Sequence, residues 1–213
     1  MKKLKKVRKM IQKHLFKYFY RMQLANRQFT IISNNCWGGF VYKKYGLPYR
    51  TPFVGLYLFS SDYIHLLKNF ENVIFNKLTF IDAEKSRYKD VLVKADRLNK
   101  YPVAKLTDTI EIHFLHYSSK EEAEQKWNKR VKRMSFDNML VKFSDIYLCT
   151  DQLIHEFGSL DFKNKLCFTS KEFKNCKSTV FLKECEEKPL INHEWKYSMK
   201  YINISKILNT LKA

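Results

Sequence analysis

The chain has 213 residues, of which 45% are hydrophobic and 15% aromatic, and its formal net charge is +19. This length suits one domain with a sizeable core, and only five Gly and four Pro exclude a disordered, collagen-like or linker-rich protein. Apolar runs end well before about 18 residues, so we expect no transmembrane span, and no secretory signal is visible. Five Cys without a CxxC pair argue against disulfides and favour the cytoplasm.

The positive charge is concentrated at the start of the chain. Residues 1–61 hold 13 Lys or Arg and no acid, because the first acidic residue is Asp62. An even spread of the 21 acids would place about six of them there. This asymmetry indicates an anionic partner.

Residues 1–27 are predicted to form a basic amphipathic helix, which precedes a single α/β domain over residues 28–213. Its apolar stripe recurs every three or four residues, at Leu4, Val7, Ile11, Leu15, Tyr18, Met22 and Ala25. Such a helix fits the headgroup layer of an anionic membrane, which favours a peripheral location at the inner membrane face. Two alternatives stay open: the stripe packs on the domain, or the cations bind nucleic acid, the less favoured partner.

The rest of the chain alternates strands and helices. We predict strands at 29–33, 78–81, 109–116, 139–143, 166–169 and 180–182. The predicted helices are one ending at Gly46, one capped by Ser60 and Ser61, one capped by Ser118 and Ser119, and one over 151–157 stopped by Gly158. This order predicts a three-layer α/β/α fold with a largely parallel or mixed sheet.

The turn after the first strand is a candidate anion site. Ligands of open α/β sheets bind beyond the carboxyl ends of the strands. Here the turn supplies polar side chains, two glycines and a helix N-terminus, through Ser33, Asn34, Asn35, Trp37, Gly38 and Gly39. The pattern matches neither common phosphate-loop motif, so a tight turn without a ligand remains the alternative.

Two side chains are candidates for catalysis. Cys36 lies in this turn, where a helix N-terminus would favour thiolate, although a buried inert Cys is the commoner outcome. His113 and His116 point to opposite faces if both lie in one strand, so one of them suits the core. His116, nearer the strand end, is the better candidate for a general base or for a hydrogen-bond donor to a phosphate group.

The helix after His116 adds cations. Arg130 and Arg133 are i, i+3 neighbours that could reach one anion together, whereas the alternative is a solvated face. The His and Cys residues lack zinc-ligand spacing, so we predict no metal and no cofactor.

The chain resembles an uncharacterised bacterial domain family whose members are commonly labelled exopolysaccharide or capsule biosynthesis proteins. The resemblance covers residues 28–185 and rests on these segments: Ile32–Gly39, Tyr49, Thr51–Phe53, Tyr101–Pro102, His113–Tyr117, Trp127, Arg130, Arg133 and Asn138. It implies a three-layer α/β fold and a role near cell-surface glycan assembly. It assigns no catalytic residue, and Met134–Asp137 departs from the expected pattern just before Asn138.

Three functions follow as hypotheses. The first is a membrane-surface enzyme of polysaccharide assembly that transfers a glycosyl or related group from a phosphate-bearing sugar or a lipid-linked sugar. No DxD metal signature supports a standard glycosyltransferase. The second is a non-catalytic accessory protein of the same pathway, and the third is a nucleic-acid-binding module. The sequence predicts no oligomeric state.

Overall fold

The strand predicted after the basic helix forms one edge of a parallel sheet. The structure is a computed structural model that describes residues 2–186, 188, 191 and 193–211. The parallel sheet has the order β1 (Thr30–Ser33), β5 (Met139–Ser144), β6 (Lys165–Thr169) and β7 (Thr179–Phe181). A separate antiparallel sheet has the order β2 (Thr79–Ile81), β3 (Val103–Thr107) and β4 (Ile110–His113). The α/β class predicted from the sequence is therefore confirmed.

Helices surround the two sheets. They are α1 (Lys2–Met22), α2 (Trp37–Tyr45), α3 (Ser60–Lys68), α4 (Phe70–Val73), α5 (Lys89–Lys94), α6 (Lys120–Val131), α7 (Asp151–Ser159), α8 (Glu194–Tyr197) and α9 (Ile204–Thr210). In the part of the chain that the structure describes, no helix is both long and apolar enough to cross a membrane.

Strands β1, β5 and β6 contribute to a core on each side of the parallel sheet, since successive strand residues point to opposite sides, whereas β7 at the edge is partly buried. On one side Ile32, Val141 and Phe143 join a core that includes residues of α3, α6, α7 and the antiparallel sheet. On the other side Ile31 and Leu140 join a core with residues of α2 and α9. The strands are accordingly rich in apolar residues, as expected for a covered parallel sheet, and Lys142 in β5 is a buried exception.

Several helix ends follow local sequence signals and two do not. Ser119 caps α6 by accepting a hydrogen bond from the Glu122 N–H, as predicted. Ser60 was expected to cap α3 but is its first residue, and its hydroxyl donates to the Ile146 carbonyl instead. Gly158 lies within α7 rather than stopping it.

The segment 54–58 joins the two sheets and sets the geometry of the site. Leu58 N–H donates to the carbonyl of Asn34, just beyond β1, at 3.0 Å. Tyr57 exchanges two backbone hydrogen bonds with His113 at the end of β4, and His116 N–H donates to the Gly55 carbonyl at 2.9 Å. The strand predicted at 109–116 therefore ends at His113 and lies outside the parallel sheet, yet His116 is held beside the end of β1.

Candidate functional site

A cleft of about 430 Å³ opens between α2, the 54–58 segment and α6. Its lining residues are Cys36, Gly39, Phe40, Lys43, Tyr49, Val54, Gly55, His116, Tyr117, Lys126 and Arg130. Three cations and an imidazole line this cleft, and no acidic residue is among the lining residues that the structure describes. The arrangement suits a ligand that is anionic and has a surface able to contact aromatic rings.

Arg130 is held inside the cleft by its neighbours. Its guanidinium donates to the Tyr117 hydroxyl at 2.5 Å and to the Val54 carbonyl at 3.4 Å, and it lies 5.1 Å from the centre of the Tyr49 ring. Tyr117 in turn donates to the Val54 carbonyl. Arg130 is half-buried and therefore presents a fixed cationic surface to a ligand.

Arg133 does not share this position. It lies beyond the end of α6, is exposed, and is not among the residues that line the cleft. The structure instead brings Arg130 together with Lys126, one helical turn earlier, whose ammonium pairs with Glu122. The i, i+4 spacing places both cations on the same face of the helix.

The two histidines have different environments. His116 is exposed and lines the cleft, so its imidazole is accessible to a ligand. His113 is fully buried, its ring stacks on Tyr57 at 4.8 Å, and desolvation lowers the pKa of His113 to about 3. The expectation that one histidine belongs to the core is met by His113, and neither of its ring nitrogens has a hydrogen-bond partner within the described residues.

Cys36 lies at the floor of the cleft and is half-buried. Its Sγ lies 3.6 Å from the Leu56 carbonyl oxygen. Burial raises the pKa of the Cys36 thiol, and this outweighs the nearby hydrogen bonds that lower it. The structure thus favours the neutral thiol, contrary to the thiolate expected at a helix N-terminus.

The polar residues of the turn after β1 are buried and form the internal support of the cleft. Ser33 donates to the Asn35 carbonyl, and Asn34 Nδ2 donates to the Ser144 carbonyl. Asn35 Oδ1 accepts the N–H of Trp37, whose indole N–H donates to Ser198. None of these side chains lines the cleft in the described structure.

Gly38 and Gly39, which the sequence places in the turn, lie in the first turn of α2 and have different surroundings. A Cβ on Gly38 would lie 3.0 Å from Ile31 Cγ2, so this position needs glycine for packing against β1. A Cβ on Gly39 would meet only Val54 at 3.4 Å, and Gly39 lines the cleft. Gly55, with φ +75°, lies close to His116 and Tyr117, and its place in the cleft was not predicted from the sequence.

Asn138 lies away from the cleft. It precedes β5, its Nδ2 donates to the Gln28 carbonyl, and its own carbonyl accepts the Thr30 N–H. These bonds align the starts of β1 and β5, at the opposite end of the strands from the cleft. Its position supports strand pairing rather than ligand contact.

A buried charged network lies behind the turn and was not anticipated from the sequence. Lys142 on β5 forms a salt bridge with Glu194 on α8, and both groups are almost completely buried. Ser144 bonds both partners, and the Lys142 ammonium also lies 5.7 Å from the Trp37 ring centre. Burial lowers the pKa of Lys142, and the Glu194 charge opposes this shift. The one feature of the sequence that could have indicated this network is a lysine, Lys142, inside an otherwise apolar strand.

Comparison with known proteins places the chain in a family. The family described as "Domain of unknown function (DUF1919)" matches residues 7–212. The chain belongs to this family. The match begins within α1, so the DUF1919 family extends into the basic helix, which the motif resemblance had left outside.

A relative in Haemophilus influenzae, described as an uncharacterized protein, is 36% identical over 176 residues. The matched region covers 83% of this chain and 78% of the relative. The expected membership of an uncharacterised domain family is therefore confirmed.

Proposed function

We propose that this DUF1919 protein binds a phosphate-bearing sugar, free or lipid-linked, in the basic cleft and acts at an anionic membrane surface in cell-surface polysaccharide assembly. The observation that carries the proposal is the cleft itself, where Lys43, Lys126, Arg130 and His116 converge without an acidic lining residue among those described. Fixed cations and an imidazole can bind phosphate oxygens by charge-assisted hydrogen bonds.

The remaining walls suit the sugar. Tyr49, Tyr117 and Phe40 offer ring surface with hydroxyl groups at two of the three positions, and Gly39 leaves room for close approach. Pockets that combine aromatic walls with a few polar groups fix the orientation of small ligands.

Group transfer is the proposed reaction class. His116 is the candidate for proton transfer, because it is exposed in the cleft and an imidazole can accept or donate a proton. Cys36 is the candidate nucleophile, but it would need a base to remove its proton, since burial raises the pKa of its thiol. His116 is therefore the stronger of the two candidates for a role in the reaction.

The basic helix supports the membrane part of the proposal. Arg21 near its C-terminal end donates to the carbonyls of Tyr45 and Gly46, which anchors α1 to the end of α2. The described apolar side chains before this anchor are nevertheless exposed: Leu15, Phe16, Tyr18 and Phe19, followed by Met22. The stripe therefore does not pack on the domain along this part, and exposed apolar residues beside cations match an anionic lipid surface.

Titration calorimetry with glucose 1-phosphate, and with glucose as the control, tests the proposal. We expect binding of the phosphate ester only, and a roughly tenfold or greater loss in Arg130→Gln. Arg133→Gln is the matched control, because it removes the same charge from the same helix end outside the cleft. Equal losses in both variants would contradict the cleft assignment. Absence of binding to this probe, UDP-glucose and a polyprenyl phosphate would favour the non-catalytic accessory hypothesis.

A further inference from the structure

A second cavity, of about 270 Å³, lies between α5 and the loop that follows β5. Its walls are mainly apolar or aromatic, and they include Val91, Leu92, Ile146, Tyr147 and Leu148. Arg97 is the charged residue among its described lining residues. The cavity shares no lining residue with the basic cleft.

Arg97 has no counter-ion among the described residues. It is half-buried, and its neighbours are the phenol groups of Tyr57, Tyr101 and Tyr147. Arg87, by contrast, contacts the buried carboxylates of Asp62 and Glu111. A guanidinium partly removed from water beside apolar walls gains from a bound anion, because no carboxylate of the described chain supplies one.

The tyrosine hydroxyl groups beside Arg97 can donate a hydrogen bond to the same anion. Tyr57 and Tyr101 share one hydrogen bond between their hydroxyls, at 2.5 Å. One hydroxyl donates in that bond, so the proton of the other stays available to an acceptor. Burial raises the pKa of Tyr57, which keeps its hydroxyl protonated.

The backbone of the cavity wall is unusual. Tyr147 and Leu148 are consecutive residues with φ of +54° and +62°, a region that residues with bulky side chains rarely occupy. In this conformation Tyr147 stacks on Tyr57 at 4.4 Å, and Leu148 is 58% exposed while lining the cavity. Such backbone outliers concentrate at ligand sites.

We propose that this cavity binds an amphiphilic anion, in which one carboxylate or phosphate contacts Arg97 and a hydrocarbon chain or ring packs between α5 and the 146–148 loop. Fatty acids and prenyl phosphates share this chemistry. The site is distinct from the basic cleft, and the inference does not depend on the function proposed for that cleft.

Calorimetry with the full chain tests the site, using decanoate and decyl phosphate below their micelle concentrations. The background variant Phe16→Ser/Phe19→Ser removes two exposed apolar side chains of α1 that would also bind amphiphiles. We expect binding of either decyl anion, while decyltrimethylammonium and inorganic phosphate bind about tenfold more weakly or not at all. Tighter binding of decanoate would indicate a fatty acid as the natural ligand, whereas tighter binding of decyl phosphate would indicate a prenyl phosphate.

Two variants locate the site. Arg97→Gln should weaken the binding of the decyl anions about tenfold, and Val91→Trp, which fills the cavity, should abolish it. Arg27→Gln is the charge-matched control, and Arg130→Gln should affect glucose 1-phosphate but not decanoate. Thermal unfolding of each variant confirms folding. Absence of binding to either anion, or equal binding by wild type and Arg97→Gln, would overturn the proposal.

Discussion

Lys142 on β5 and Glu194 on α8 form a buried salt bridge, and the Asn35 side chain bonds both partners. Asn35 Oδ1 accepts from the ammonium at 3.2 Å, and Nδ2 donates to the carboxylate at 2.7 Å. The network thereby joins the C-terminal helices to the turn that carries Cys36. The two charges are 52 residues apart in sequence.

Breaking this salt bridge on one side should be costly. Glu194→Gln leaves the buried Lys142 ammonium without a counter-charge, so we expect the free energy of unfolding to fall by about 3–5 kcal/mol. Adding Lys142→Met removes the unpaired charge and should recover much of that loss. Urea unfolding measures both variants. Asp151→Asn, which breaks the exposed pair with Lys171, is the control and should cost about 1 kcal/mol or less. A similarly small cost for Glu194→Gln would contradict the dependence of the buried Lys142 ammonium on the Glu194 counter-charge.

Burial of His113 should make stability depend on pH. Its pKa is lowered to about 3 in the folded chain, chiefly by desolvation and also by the Arg97 charge, against about 6.5 when unfolded. Between these values the unfolded state binds more protons, so this stability is present above pH ~6.5 and is lost as the pH falls toward ~3. Urea unfolding of wild type and His113→Phe across this range should show a difference of a few kcal/mol in their pH dependence. Parallel curves would contradict the buried neutral imidazole.

Gly38 and Gly39 of α2 should respond differently to alanine. Gly38→Ala forces a methyl group against Ile31 in the core, and we expect a loss of about 1–3 kcal/mol. Gly39→Ala adds a methyl group at ordinary contact distance from Val54, so folding should change little. Thermal unfolding gives both values. If Gly39→Ala were the more destabilising, the assignment of these two positions to cleft and core would be reversed.

Exposed aromatic residues of α1 should carry membrane binding. Phe16→Ser/Phe19→Ser removes two rings that are 53% and 61% exposed, and should lower co-sedimentation with phosphatidylglycerol vesicles several-fold. Phe75→Ser, at a residue 63% exposed elsewhere on the surface, should leave it unchanged. Equal binding by wild type and the double variant would remove the support that α1 gives to a membrane location.

Local sequence signals predicted most of the fold. β1, β5 and β6 are apolar runs long enough to identify, and α6 is marked by its Ser119 cap. β3 was missed because Val103–Thr107 is short and contains Lys105, whose side chain is only partly buried. The separate antiparallel sheet was not predictable, because strand alternation does not specify which sheet a strand joins.

The candidate site was predictable only in part. Cys36, Gly39, His116 and Arg130 are candidates from the sequence that line one cleft, and the backbone path that joins them runs through Gly55 rather than through neighbouring parallel strands. Lys43 and Lys126 were not selected, because surface lysines are common throughout the chain. Glu194 could not be placed, since its partners come from distant segments.

Backbone NMR during titration with glucose 1-phosphate tests the central claim most directly. We predict that the amide signals of Gly39, Gly55 and His116 shift together with one dissociation constant, and that glucose causes no comparable shift. The same titration with Arg130→Gln should require about tenfold more ligand. Shifts confined to residues outside the cleft, with these three amides unchanged, would contradict the assignment of the basic cleft as a sugar phosphate site.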